Sequence, residues 1–137
     1  MRSDSKDLKA EREVWEAYAG ASVRGYGRIV SAPPKVGVKV VIRMWGVMPA
    51  GRPKRCGDME CHTYKPDADN AAKCILDGLN PKRRIEAKTG RVIEDRIGAW
   101  ADDSQVVELI VVKVGRFRGS EERTEVTVEW PCGKDGN

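Results

Sequence analysis

Residues 36–45 read VGVKVVIRMW, with Val36, Val38, Val40, Ile42 and Met44 at every second position and Lys39 and Arg43 between them. A period of two predicts a half-buried β-strand. Upstream, residues 5–22 are charged and alanine-rich, and Val14, Trp15, Tyr18 and Ala21 fall at helical spacing. That stripe predicts a helix, stopped near Gly20 or in the turn that Gly25 and Gly27 signal. In AAKCILDGL, Ala72, Ile75, Leu76 and Leu79 share one helical face, and Asn80-Pro81 ends the pattern. Two valine-rich runs, QVVELIVVKV and EVTVEW, are linked by residues 116–122 and are expected to pair antiparallel. Residues 46–58 and 81–96 keep neither period. The first reads as a loop, the second as a basic stretch with Thr89-Gly90 as a hairpin turn. Nothing repeats and no linker divides the pattern, so the expectation is one α/β unit.

Composition narrows this only a little. A chain of 137 residues suits one domain. Charged residues make up 34%, above the usual quarter, so much of the surface is ionic. Lys and Arg number 25 against 21 Asp and Glu, a net charge of +4 that tilts towards a polyanionic partner without requiring one. No apolar run approaches the ~20 residues of a membrane span. The first residues, MRSDSKDLKAEREV, lack the apolar stretch of a signal peptide. A cytoplasmic protein without membrane contact is therefore expected, with Cys56, Cys61, Cys74 and Cys132 as reduced thiols. The spacing of Cys56, Cys61 and His62 does not match a CxxC knuckle and no second pair exists, which argues against zinc.

Candidate chemistry lies in KPDADNAAK. Asp67 and Asp69 are two apart, so on an extended segment both point to one side, and two such carboxylates suit a hard cation. Asp69 and Asn70 sit where a helix begins, either able to cap it, and Lys73 follows one turn on. Carboxylates, helix N–H groups and an ammonium suit phosphodiester hydrolysis by a metal-activated water. Capping and an exposed ladder of Asp69, Lys73 and Asp77 account for the same residues equally well. A second acidic element, Asp102-Asp103, precedes the apolar run from Val106. It is either a plain turn or a third carboxylate lent to the first cluster. Three clustered carboxylates repel one another unless a cation binds. With a single histidine in the chain, the ligands would be oxygens, favouring Mg²⁺ or Mn²⁺. Arg52, Lys54 and Arg55 form a basic loop that reads as a phosphate contact or as plain solvated surface.

HTYKPDADNAAKCILDGLN at 62–80 and GAWADDSQVVELIVVKV at 98–114 together resemble the RusA family of Holliday junction resolvases, found in phages and prophages. The shared pattern is KPDxDN, a lysine one turn on, LDxLN, then W-x-DDSQV and a strand ending in lysine. The resemblance implies a single α+β domain over 1–137, a mixed β-sheet packed with two helices. It implies a homodimer in a bacterial or phage-infected cell that binds a four-way DNA junction and nicks opposing strands symmetrically. By position, the metal ligands for Mg²⁺, with Mn²⁺ as a substitute, are Asp67, Asp69 and Asp103, and Lys73 is the catalytic lysine. Asp102 and Asn70 have supporting roles, and Asp77 is structural. Two features differ from the family pattern. A strand and loop usually precede the first helix, and PKRRIEAKTGRVIEDRI is an insertion. Lys65, beside the acids, and Lys82, Arg83, Arg84 and Arg91 of the insertion are candidate phosphate contacts, although the insertion reads equally as a solvated hairpin. Glu94 and Asp95 compete for the role given to Asp102-Asp103, and the flanking match at 98–107 favours the latter. The competing functional reading is a non-catalytic DNA-binding protein that keeps the fold.

Overall fold

The computed structural model describes residues 2–131; Cys132 lies outside the described residues. Among the described residues two α-helices and six strands follow in chain order, with two short 3-10 turns besides: α1 (Arg2–Tyr26), β1 (Val38–Val47), β2 (Met59–Glu60), α2 (Ala68–Leu79), β3 (Lys82–Ile85), β4 (Val92–Arg96), β5 (Val106–Phe117) and β6 (Arg123–Glu129). Four strands form one mixed sheet in the order β2-β5-β1-β6, and β3 and β4 form a separate ribbon.

The expected alternation holds in β1, where Val38, Val40, Ile42 and Met44 are buried. Val41, on the opposite face, is nevertheless only 6% exposed. It lies between Ile110 of β5 and Thr127 of β6, so neighbours on both edges cover it. The expected pairing of the two valine-rich runs is not found. β5 runs parallel to β1 and β6 antiparallel to it, with β1 between them. The most deeply buried strand, β1, lies where both its edges are hydrogen-bonded, and the link after β5 carries the chain to its far side. Two register shifts along the β1–β5 pair leave Val107 and Val114 as extra residues, and Gly115, at φ 155°, follows the second.

Both helices pack on the face that carries Val38, Val40, Ile42 and Met44. Ala72, Ile75 and Leu79 of α2 join these residues in one core, with Val14 and Tyr18 of α1 against it. The helices meet closely at Gly78, where a Cβ would stand 2.7 Å from Val14 Cβ. The other sheet face is open, and Ile110 and Val112 are exposed on it. This is an α+β arrangement with the layers that the family pattern implied.

The segment between the ribbon and β5 is stitched into the body. Ala99 N–H donates to Leu79 O and Ala32 N–H to Ala99 O, each at 2.8 Å. Trp100, 1% exposed, donates its indole N–H to Asn80 Oδ1. At Gly98 a Cβ would lie 2.4 Å from Leu79 O, so only glycine allows this approach to the end of α2.

Candidate active site

The helix α2 begins at Ala68, with Asp67 as its N-cap in extended conformation (φ −66°, ψ 151°). The boundary therefore passes between Asp67 and Asp69. The expectation that both acids point to one side of an extended segment is corrected, because Asp69 follows helical geometry. Neither Asp69 nor Asn70 is the N-cap, and no side chain caps the first turn. The first N–H groups of α2 are thus left without a side-chain acceptor at the position where helices receive anions.

Asp69, Lys73 and Asp77 recur every fourth residue and line a cleft of about 490 Å³ between α2 and β5. Leu109 and Val111 of β5 form its apolar wall, and Asp103 reaches it from the turn before β5. Asp69, Lys73 and Asp103 thus come from two distant segments to one place. Asp67 stands at the helix start but is not among the lining residues, and neither is Asn70. Among the described residues no basic side chain forms an ion pair with Asp67, Asp69 or Asp103, and no acidic one with Lys73. Asp77, read as structural, is a half-buried wall of the same cleft. The available signal was its spacing of eight from Asp69.

The sequence DDSQ divides its labour. Asp102 caps the short 3-10 turn Asp103–Gln105, accepting from Ser104 N–H at 3.2 Å. Its carboxyl is held below the usual range, chiefly by that backbone N–H and then by the Ser104 side chain. Gln105 is buried and anchors the turn. Its Nε2 donates to Pro33 O and Val36 O at 2.8 and 3.0 Å, while its Oε1 accepts from Ala101 and Asp102 N–H at 2.9 and 3.0 Å. With Asp102 and Gln105 spent on the turn, Asp103 is the acid presented to the cleft. Glu94 instead pairs with Arg84 and Arg96, each at 4.0 Å.

The segment entering α2 is held through Tyr64, which the sequence reading did not single out. Lys113 donates to Tyr64 O, Arg52 to the Tyr64 hydroxyl at 3.0 Å, and the Arg116 guanidinium lies 3.8 Å from the ring centroid. Arg52 and Arg116 share Glu60, at 3.0 and 3.5 Å. His62 beside them is held below its ordinary pKa by burial, then by Lys113 and Arg116.

The candidate phosphate contacts fall into two groups. Arg52 is committed to Glu60 and Tyr64, Lys82 to Glu11 at 3.8 Å, and Arg84 to Glu94. Lys65, Lys54, Arg55, Arg83 and Arg91 are exposed, and none forms an ion pair among the described residues. Arg118 ties down the loop bearing Lys54 and Arg55 by donating to Arg52 O, Pro53 O and Gly57 O at 3.0, 3.2 and 2.7 Å.

Among the described residues, no three His, Cys, Asp or Glu side chains stand close enough to hold one metal ion. The chemistry of the donors at the cleft is nonetheless all oxygen, which fits a hard divalent cation better than zinc or copper. No helix among the described residues is long and apolar enough to cross a membrane.

Fold and cleft define a small α+β protein in which a helix and a strand-entry turn present carboxylates and one ammonium to an open groove. The chain belongs to the RusA endodeoxyribonuclease family: the family model described as Endodeoxyribonuclease RusA matches residues 8–87. That match starts within α1, spans β1 and α2 with Asp67, Asp69 and Lys73, and ends in the ribbon before Asp103. Comparison with curated proteins and with solved structures gives no significant match.

Proposed function

We propose that the protein is a metal-dependent endodeoxyribonuclease that resolves four-way junctions and other branched DNA by paired, symmetric nicks. The observation that carries this reading is the meeting of Asp69, Lys73 and Asp103 at one cleft, in a chain of the RusA family. Asp69 and Asp103, which meet at the cleft, would hold Mg²⁺, or Mn²⁺ in its place, with Asp67 at the helix start as the third candidate ligand. When bound, such an ion supplies a more acidic water and polarised phosphoryl oxygens.

The chain's own groups do the rest. The Lys73 ammonium faces the same cleft and offsets the charge that gathers on the phosphoryl oxygens in the transition state. The uncapped N–H groups of α2 orient the scissile phosphate. Leu109 and Val111 line the cleft with apolar surface, which strengthens these interactions by lowering the local dielectric. Asp102 and Gln105 keep Asp103 in place, and Tyr64 does the same for the approach to Asp67. Paired cuts imply a homodimer with one site per subunit, residues 1–137 acting as one nuclease unit in each. Lys65, Lys54, Arg55, Arg83 and Arg91 are exposed cations suited to the DNA backbone.

The test is incubation with a synthetic four-way junction and with matching linear duplex, with and without Mg²⁺, beside Asp69→Asn. Expected are paired nicks in the junction alone, dependent on metal and absent in the variant. Junction binding with no cut in Mg²⁺ or Mn²⁺ would replace the nuclease by a structure-specific binding protein.

A further inference from the structure

The ribbon β3–β4 has two unlike faces. Lys82, Arg84, Glu94 and Arg96 share one by alternation and register, and it is tied to the body. Lys82 pairs with Glu11, and the Arg96 guanidinium lies 5.7 Å from the Trp15 ring centroid. Towards the tip, Ile85 and Val92 are cross-strand partners, and the register shift beside them leaves Ile93 as an extra residue. These three are 54%, 42% and 57% exposed. One exposed aliphatic side chain needs no explanation, but three adjacent ones on a two-stranded ribbon without a core of its own do.

The charge around them restricts what can cover them. Residues 82–96 hold six basic side chains (82, 83, 84, 88, 91, 96) and three acidic ones (86, 94, 95). Glu94 pairs with Arg84 and Arg96 and Glu86 accepts from the Thr89 hydroxyl at 2.7 Å, while Asp95, opposite Arg83 in the register, forms no ion pair among the described residues. The bases still outnumber the acids, so the ribbon is positive as a whole. Lys88 and Arg91, next to the aliphatic trio, have no carboxylate partner among the described residues. A second copy of the ribbon would set these cations against themselves, which opposes association. A nucleic acid provides phosphates for them, and its base faces are flat apolar surfaces wherever stacking is interrupted. In an intact duplex those faces are covered; at a branch point they are not.

We propose that the ribbon is a branch-point wedge: Ile85, Val92 and Ile93 pack on bases exposed where DNA strands part, while Lys88 and Arg91 hold the flanking phosphates. This rests on the reading of branched DNA as the substrate and gives recognition of the branch to a surface separate from the acidic cleft. The ribbon leaves the C-terminal end of α2 and Asp69 sits at the other end, roughly 16 Å away at about 1.5 Å per helical residue. Contact at the branch and contact at the cut phosphate therefore use different parts of the protein.

The experiment uses the full chain without divalent metal, a four-way junction with 2-aminopurine at the branch point, and a linear duplex of equal length. For the wild type we expect a rise in fluorescence and a preference for the junction. A double variant, Ile85→Ser with Ile93→Ser, keeps the charge. It should lose the fluorescence rise and about tenfold of the junction preference, with duplex affinity and salt slope unchanged. Lys88→Ala with Arg91→Ala should weaken binding to both DNAs and reduce the salt slope by about 2. A serine variant that keeps both the rise and the preference overturns the wedge. So does a serine variant whose sedimentation shows a smaller assembly than the wild type, since the ribbon would then be a contact between copies. A wild type that gives the rise but makes no cut in Mg²⁺ upholds the wedge and removes the nuclease reading. A wild type that binds neither DNA removes both.

Discussion

Replacing Arg96 by alanine is expected to lower stability by about 2–3 kcal/mol, from interactions that meet at one buried guanidinium. Arg96 is 8% exposed, and its Nη2 donates to Asp77 O at 3.2 Å and Asn80 O at 3.4 Å, two carbonyls at the end of α2. Bonds from a charged donor contribute about 1.5–3 kcal/mol each, and these long ones sit at or below the lower end. The stem adds about 0.8 kcal/mol for each buried methylene lost, and contact with the Trp15 face about 0.5–1 kcal/mol. Against this, Arg96 Nε is buried without an acceptor among the described residues, so the substitution also removes a desolvation cost. Glu94 keeps Arg84 and is partly open to water, so it rehydrates at little cost. At about 3–4 °C per kcal/mol for a chain of this size, the melting temperature should fall by about 6–12 °C. Thermal unfolding followed by circular dichroism reads this directly. Arg96→Met restores the apolar stem alone and should recover roughly half of the loss. A fall below about 2 °C for alanine, or no difference between alanine and methionine, would refute the reasoning.

The two candidate acidic pairs separate cleanly. Asp103→Asn should reduce junction cleavage at least about a hundredfold, whereas Glu94→Gln, which loosens only ion pairs in the ribbon, should stay within about threefold; the reverse order would transfer the role to the ribbon. His62 gives a pH dependence. Its folded pKa lies below the ordinary imidazole value of 6.5, so as pH falls below that value the unfolded chain takes up the proton first. Stability is then fully present above the unfolded value and lost as pH falls towards the lower folded one. Urea midpoints at about pH 7.5 and about pH 5.5 should differ less in His62→Gln than in the wild type, and equal differences would reject this assignment.

The elements were legible because their periods are strong. Val38, Val40, Ile42 and Met44 mark β1, and Ala72, Ile75 and Leu79 mark the buried face of α2. The partners of each strand were not legible, because pairing depends on which edge of β1 each valine-rich run reaches. A local pattern carries no information on that. The geometry of Asp67 and Asp69 turned on a helix boundary one residue wide, the least certain feature of any sequence reading. Asp102 and Asp103 look alike in the local pattern, and only the family resemblance assigned them different roles. In the structure Ser104 N–H and buried Gln105 engage the first and its turn. Tyr64 was hidden for a similar reason, since its partners Arg52, Lys113 and Arg116 come from two other segments. Arg52, Lys54 and Arg55 formed one basic cluster on paper, yet Arg52 pairs with Glu60 and Tyr64 while the other two face solvent.

The stem of the ribbon has a consequence for how much length this position can bear. Lys82 and Arg96 are direct cross-strand partners, and Ala99 N–H closes on Leu79 O immediately behind them. The chain therefore leaves the body and re-enters it at nearly the same point, whatever lies between. Removing residues in matched pairs from the tip, down to the Arg84–Glu94 rung, leaves the exit and re-entry where they are. Length at this site is thus decoupled from the rest of the architecture, which makes it a natural port for insertions of different size and sequence.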